Sequence, residues 1–582
     1  MNAQTFMNPP SYQDGSKHTN PDPFVISFLG KYFCYSTGVE GVNLSVSKDL
    51  VHWEYLGLCF QESGRSSYWA PCVIYRNGMF YMYVSNRPEG EEDPHLQRMR
   101  VATSTTPEGP FRFNSQLLDH FAIDADVVTG DDGVTVMYYA CNEMTEKFSG
   151  RIGTGVVVDA MPTLFSLAGS PKPVIMPSID QEIFERNRFG DGRDWFTIEG
   201  STYFSDDEFA FQTYSGNAYE NPDYFIGLSR AKRTESLYDL QWEKVPSNSE
   251  YAPLIRQSSA VEGTGHNSIT LAPNLLDRWI CYHGRDRADE RILGLEQRQL
   301  YVDQLFVEDG QVITAAPTCE WQPIPKQPTY QDFRKRLFHS EVFGKALGNF
   351  AAEICLKLEG SDAPASQPSI HITLQVRDKT IIKFSLSRSR VSVVDDSGSR
   401  HDIPTLIDVE LTEWQHIRLY RKGQRIELYV GDVMVASVRD ASPDIQYDLL
   451  VTVEGEAKLA YWRLTDFFEL SKTELVQRGF LRVNKNSIPS NEAPQSLVLP
   501  RTGHLGVELY FDSADIDRFR LVGLHDFLRP IFGRDKSVIS FEIHDKSSRP
   551  VVVEGDFTNL TRCRVLKMPE FSQADNNNKG VM

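Results

Sequence analysis

From residue 23 to 325 the chain alternates short runs of aromatic and β-branched residues with turns of Gly, Asn and Asp, and helix-length amphipathic runs are rare. That pattern makes the region all-β. FVISFLGKYFCYSTG, CVIYRNGMFYMYVS, DDGVTVMYYACN and YFSDDEFAFQTYSGN each read as two strands around a tight turn. A weak repeat groups these strands. An alternating strand with a small polar residue enters a turn and then an aromatic in LSVSKDLVHW (44–53), VATSTTPEGPF (101–111) and LSRAKRTESLYDLQW (228–242). The first two lie about 60 residues apart and the last two about 130, one and two units of a blade-sized repeat. About 300 residues at that period predict a five-bladed β-propeller, whose inner strands aim their loops into one central depression. An irregular sandwich is the competing reading.

At 582 residues the chain exceeds what one hydrophobic core supports, so further domains are expected. Pro323, Pro325 and Pro328 with polar neighbours mark a linker, which bounds a propeller domain over residues 1–325. Alternating strands with hairpin turns at Lys422-Gly423 and Gly431-Asp432 then predict a β-sandwich domain over residues 326–467, its strands starting near 335. Residues 468–582 are β-rich again, either part of the sandwich or a third domain, and end in a polar tail, SQADNNNKGVM.

The formal net charge of −19 repels nucleic acid and anionic membrane surfaces, so neutral partners are expected. No run reaches the ~18 apolar residues of a membrane span. The first 30 residues show no basic start followed by an apolar run, and the eight cysteines are scattered without a CxxC pair. Free thiols in a reducing cytoplasm are the expectation.

Three acidic positions stand out. Asp22 lies between two prolines in His18-Thr19-Asn20-Pro21-Asp22-Pro23, which fix the backbone on either side and suit a rigid general base, although NPDP alone is also an ordinary turn. Asp124 and Asp126 interrupt an apolar strand, FAIDADV, and share a face if the strand keeps its period of two. Glu199 ends the aromatic strand WFTIE, where apolar surroundings would raise its pKa as an acid catalyst requires, and Gly200 after it permits close approach; Glu262 in VEGTGHNS is a rival. A propeller would bring the three from separate blades to one axis. Hydrolysis of a glycosidic bond needs one protonated carboxyl at the leaving oxygen, one carboxylate that activates water, and gains from a third charge that tunes the acid.

In order along the chain, NPDPFVI, SKDLVHW, YWAPCVIY, FYMYVS, STTPEGPF, FAIDADVV, TIEGSTYF, GTGHNSIT, CYHGRD and RQLYVDQLFVEDG resemble the successive signature segments of glycoside hydrolase family 43. The family comprises five-bladed propellers that include β-xylosidases, α-L-arabinofuranosidases and arabinanases. The resemblance implies Asp22 as general base, Asp124 as the carboxylate that modulates the acid and orients substrate, and Glu199 as general acid. It implies that His266 faces the channel and, in a number of relatives, helps to hold a calcium or other ion, often through water, with no cofactor strictly required. It further implies that Arg298 reaches the sugar and that Trp69 and His283 line the pocket. Cys72 departs from the pattern, which usually has an acid there. Inversion of configuration by single displacement follows from the family.

Residues 335 to 467 are similar to the concanavalin- or laminin-G-like domains of many β-xylosidases in the family, which can pack over the pocket rim and favour exo action; a carbohydrate-binding module and a purely structural role are the alternatives. The implied function is a cytoplasmic, exo-acting, inverting hydrolase releasing xylose or arabinofuranose from the non-reducing ends of short plant-cell-wall oligosaccharides. The oligomeric state is left open between a monomer and a homo-oligomer; the C-terminal β-rich region is where subunits could pair, and no residue proves an interface. A non-catalytic sugar-binding propeller and a propeller transferase or phosphorylase are the alternatives.

Overall fold

A computed structural model describes residues 5–292, 294–359, 369–442, 444–483, 495–499, 504–512, 520–522, 526–544 and 551–569. The polar tail read from the sequence lies outside them.

Residues 5 to 323 form a five-bladed β-propeller. Blade 1 is built from Phe24–Phe28, Lys31–Ser36, Val42–Ser47 and His52–Phe60, and blade 2 from Arg65–Arg76, Met79–Pro88, Arg98–Ser104 and Arg112–Gln116. Blade 3 comprises Ala122–Thr129, Thr135–Cys141, Gly153–Ala160 and Lys172–Ile175; blade 4 comprises Trp195–Ser205, Phe209–Gly216, Phe225–Lys232 and Glu243–Lys244. Val261–Leu271, Arg278–Asp286, Gln299–Glu308 and Gln311–Thr314 complete blade 5. The three sequence repeats are the third strands of blades 1, 2 and 4.

Alternation along each strand leaves two apolar faces per blade, and each must find a neighbour. Five separate cores result, one per blade interface. Phe33 and Val42 meet Phe80 between blades 1 and 2, and Cys72 and Val101 meet Met137 between blades 2 and 3. Tyr138 packs with Ile198 and Phe225 between blades 3 and 4, and Phe211 and Ile226 pack with Tyr282 between blades 4 and 5. Val25 and Trp53 meet Trp279 and Val302 between blades 1 and 5.

The N-terminal segment stitches the last interface. Thr5–Phe6 pairs with Gln322–Pro323, and Ser11–Tyr12 adds a parallel outer strand to His52–Phe60 of blade 1. Between them the Asn8 side chain both donates to and accepts from the backbone of Val302 in blade 5, at 2.9 and 3.0 Å. The ring is thus closed by residues that precede its first blade.

Beyond the propeller, a continuous strand order surrounds a core that includes Phe350, Leu374, Phe384, Leu428 and Leu449. Its central strand, Tyr447–Ser471, is 25 residues long and continues past that core to pair with Leu560–Lys567. There a second core forms from Leu470, Leu497, Val507, Phe541 and Val565. Residues after 468 therefore have an interior of their own while sharing one strand with the sandwich.

The sandwich touches the hairpin turn between the inner and second strand of every blade. Phe28 packs on the His416 ring at 5.1 Å in blade 1, and Tyr75 and Asn77 of blade 2 donate to the carbonyls of Trp414 and Asp408. Gly133 of blade 3 lies against Leu406, Asp207 of blade 4 pairs with Arg425, and the Leu275 and Asn274 carbonyls of blade 5 accept from Tyr420 and Thr465. These turns close the far ends of inner strands whose near ends carry Asp22, Asp124 and Glu199. The expectation that the sandwich packs over the pocket rim is corrected: its contacts fall on the opposite end of the wheel, because the exposed turns there supply apolar and carbonyl surface that needs covering.

Lys326, in the Pro-rich segment, is buried with its Nζ 3.2 Å from Asp277 of blade 5 and 2.6 Å from Glu508 of the second C-terminal core, and Arg564 pairs with the same two acids. Four charges, three of them buried, neutralise one another and fix the segment in place, since a buried one left alone would be costly.

Candidate active site

A residue with a left-handed backbone stands just before the inner strand of blade 1 and within the inner strand of every other blade: Asp22 (φ 53°), Ala70 (45°), Asp124 (59°), Gly200 (58°) and His266 (38°). In blades 2 to 5 the ladder to the second strand slips at that point. A bulge of this kind bends the strand and re-aims its side chains. Four of the five are not glycine, and such a backbone costs about 1–3 kcal/mol each, so the surrounding structure must hold them there. Strict alternation is lost at the bends. Asp124 and Asp126 illustrate this: the Asp124 carboxylate accepts the Gly200 N–H at 2.9 Å near the axis, whereas Asp126 accepts the Tyr203 N–H at 2.7 Å further along blade 4.

Asp22 is the most heavily tethered group. Arg298 donates to its Oδ1 at 3.1 Å and the Thr37 hydroxyl to its Oδ2 at 2.6 Å, while its own N–H donates to His283 Nδ1 at 3.1 Å. Thr37 is in turn fixed by the Ala70 N–H, at 2.9 Å. Both carboxylate oxygens of Glu296 hold Arg298 from behind, and the Tyr219 ring lies 4.7 Å from its guanidinium. His266 Nδ1 stands 3.5 Å from Asp22 and 3.6 Å from Asp124. Gly200 makes that approach available, since a Cβ there would sit 2.9 Å from the same nitrogen. Glu199 accepts the Tyr224 hydroxyl at 2.8 Å, and Tyr224 stacks on His283 with ring centroids 5.7 Å apart.

The structure therefore gathers Asp22, Asp124, Glu199, His266, His283 and Arg298 into one connected cluster. Trp69 is half-buried one residue before the bend at Ala70. Glu262 faces Arg285 and Arg291 at 3.6 and 4.0 Å instead. Cys72 is fully buried in the core between blades 2 and 3. Thr37, Tyr219, Tyr224 and Glu296 were not found from the sequence, where they are ordinary strand and loop residues; the nearest signal is Glu296 two positions before Arg298, a spacing that suits a local carboxylate fork.

A family model described as glycosyl hydrolases family 43 matches residues 16–311, which include every residue of the cluster. The chain belongs to this family. Among solved structures, a thermostable family-43 glycoside hydrolase is 28% identical, with 56% of this chain and 100% of that chain covered and a TM-score of 0.46. An α-L-arabinofuranosidase from Lactobacillus brevis is 20% identical over 53% of this chain and 95% of that one, with a TM-score of 0.43. A xylan β-1,4-xylosidase from Bacillus halodurans C-125 is 14% identical over 79% of this chain and 99% of that one, with a TM-score of 0.41. Family membership makes this protein a glycosidase that acts on oligosaccharides.

The electrostatics of this family-43 site separate its carboxyls. Burial opposes the charge on Asp22, but Arg298, with smaller contributions from His266 and His283, outweighs it and holds the carboxyl well below the usual range. Burial pushes Glu199 up to about 7, helped by the negative charge of Asp22 and opposed by the Tyr224 hydroxyl. Burial and then the charges of Glu199 and Asp22 raise Asp124 well above its ordinary value, against the Gly200 N–H. Burial also lowers both histidines, His283 to about 4, so neither supplies a cation near neutral pH. The result is one ionised carboxylate, Asp22, beside a carboxyl, Glu199, that holds its proton up to about 7, the division of labour that acid–base chemistry on one bond needs.

A calcium ion at His266 would find a single imidazole there, its Nδ1 already turned to two carboxylates. Among the described residues no group of three or more His, Cys, Asp or Glu side chains stands together as an ion cage. The residues do not fit a protein-built calcium site, and no step below is assigned to an ion.

Proposed function

We propose that the protein is an exo-acting, inverting glycosidase that releases xylose or arabinofuranose from the non-reducing ends of short plant-cell-wall oligosaccharides. The observation that carries this reading is the opposed environment of two carboxyls in one cluster, Asp22 held ionised by Arg298 and Glu199 holding its proton up to about 7. In this reading Asp22 takes a proton from water as the water oxygen attacks the anomeric carbon. Glu199 gives its proton to the glycosidic oxygen as that bond breaks, so the anomeric configuration inverts in one step. Tyr224 then stabilises the Glu199 carboxylate that remains. In this reading Asp124, which accepts the Gly200 N–H next to the acid, orients the substrate against Glu199. Arg298, His283 and Trp69 are placed to meet the sugar. All eight cysteines are free, seven of them buried, which supports a reducing compartment.

The test is hydrolysis of nitrophenyl β-D-xyloside, α-L-arabinofuranoside and the corresponding galactosides, with the product anomer followed by NMR. Inverted product from one pentoside, and single pentoses from longer chains, are the expected results. Retained configuration, turnover that requires inorganic phosphate, or sugar binding without turnover would each replace the reading with another.

The pH profile is a separate check. The acid must be protonated and the base ionised, so kcat/KM is expected to fall about tenfold per pH unit above about 7, while the acidic limb lies below the ordinary carboxylate range. Because the Tyr224 hydroxyl favours ionised Glu199, Tyr224→Phe is expected to move the basic limb to higher pH. A limb that stays in place would remove Tyr224 from this role.

A further inference from the structure

Four aromatic rings form a continuous surface at the end of the wheel where the acids lie. Trp195 opens the inner strand of blade 4, and Phe121 immediately precedes that of blade 3. His95, from a turn of blade 2, meets both: its ring centroid is 5.5 Å from Phe121 and 5.4 Å from Trp195, edge-on to the indole at 72°. Phe189 extends the row with its centroid 6.2 Å from Trp195, and it is 47% exposed. The other three rings are half-buried, and aromatic surface left in contact with water marks a recognition surface.

The row is braced rather than loose. Asn142 Nδ2 and His95 Nδ1 are 3.2 Å apart, and Asn142 is itself fixed by the Thr154 hydroxyl at 2.9 Å. The Arg188 guanidinium lies 4.9 Å from the indole centroid. Trp195 precedes Glu199 by four positions on the same strand, which places them on one face and about 13 Å apart along the chain. Phe121 lies three positions ahead of Asp124, just before the inner strand of blade 3.

We propose that His95, Phe121, Phe189 and Trp195 form the platform for the leaving-group side of the substrate, binding the apolar faces of sugar rings beyond the one next to the scissile bond. The inference rests on the glycosidase reading with Glu199 as acid. A general acid sits beside the oxygen it protonates, so the part of the substrate that departs lies on the acid's side, and the strand that carries Glu199 leads outward to Trp195. Rigid rings present area to a sugar at small entropic cost, and the Arg188 guanidinium over the indole and the His95 ring edge-on to it offer donors to its hydroxyls.

Trp195→Ala is expected to leave kcat/KM on a nitrophenyl glycoside within about twofold and to lower it about tenfold on tri- and tetrasaccharides, close to the loss of one aromatic contact. Trp195→Phe should restore most of the loss, and the melting temperature reports whether each variant folds. An equal loss on both substrate classes, or no loss on the longer ones, would overturn the platform. A binding measurement keeps this separate from the glycosidase reading. Tetrasaccharide binding to Glu199→Gln should weaken about tenfold when Trp195→Ala is added, while binding of the monosaccharide is unchanged. Unchanged tetrasaccharide binding would overturn the platform even if the wild type proves inactive, and inactivity of the wild type alone would overturn only the catalytic reading.

Discussion

Asp22→Asn is expected to lower kcat by about 10²- to 10⁴-fold on every glycoside that the wild type hydrolyses, with the fold retained. Asparagine has the shape of aspartate, so the Thr37 hydroxyl keeps its acceptor and the Asp22 N–H keeps His283. Arg298 keeps its two bonds to Glu296 and is not left as an unpaired buried charge. What is lost is the one carboxylate that Arg298 holds ionised, and with it the group that takes a proton from water. Its negative charge also raises Glu199, so the residual activity should lose its basic limb at lower pH than the wild type. Asp22→Ala leaves room for a small anion, and azide should restore turnover by attacking the anomeric carbon directly, with a glycosyl azide of inverted configuration as product. Activity of Asp22→Asn within about tenfold of wild type would remove Asp22 from the role of base.

Glu199→Gln should show a loss that depends on the leaving group. An oligosaccharide leaves as a poor alkoxide unless it is protonated, so removal of the acid costs about 10²- to 10⁴-fold there. Dinitrophenolate needs little help, and its glycosides should be cleaved at rates much closer to wild type. The fall in activity above about 7 should disappear in the same variant, because the group whose deprotonation causes it is gone. A uniform loss across leaving groups together with an unchanged basic limb would identify a different acid, and Asp124, also raised, is the first to examine.

These two results bear on a site that was only partly legible in the chain. Asp22 was readable from the prolines that flank it, Asp124 and Glu199 because each interrupts a strand pattern with an acid, and all three because their segments carry family signatures. Asp126 interrupts the same strand as Asp124, and a period of two places both on one face. The bulge at Asp124 separates them, and a bulge formed by a left-handed aspartate leaves no mark in the sequence comparable to a glycine. Tyr224 and Thr37 were invisible for another reason. Their hydroxyls reach Glu199 and Asp22 across turns whose geometry depends on how neighbouring blades pack, and residues of those types in strands are usually core or surface.

The wider architecture divides in the same way. Local alternation of apolar and polar residues, cut by turn residues, sufficed to determine an all-β chain, a blade-sized repeat and a second β-rich half, because strand periodicity is a property of a few consecutive residues. Closure of the ring by residues 5 to 12, the shared strand Tyr447–Ser471 and the seat of the sandwich on the turns opposite the acids were decided by tertiary structure alone. Each depends on contacts between segments far apart in the chain, as does the separation of the carboxyl pKa values. Burial raises Glu199 and Arg298 lowers Asp22, and neither effect exists until five blades have brought those side chains to one axis.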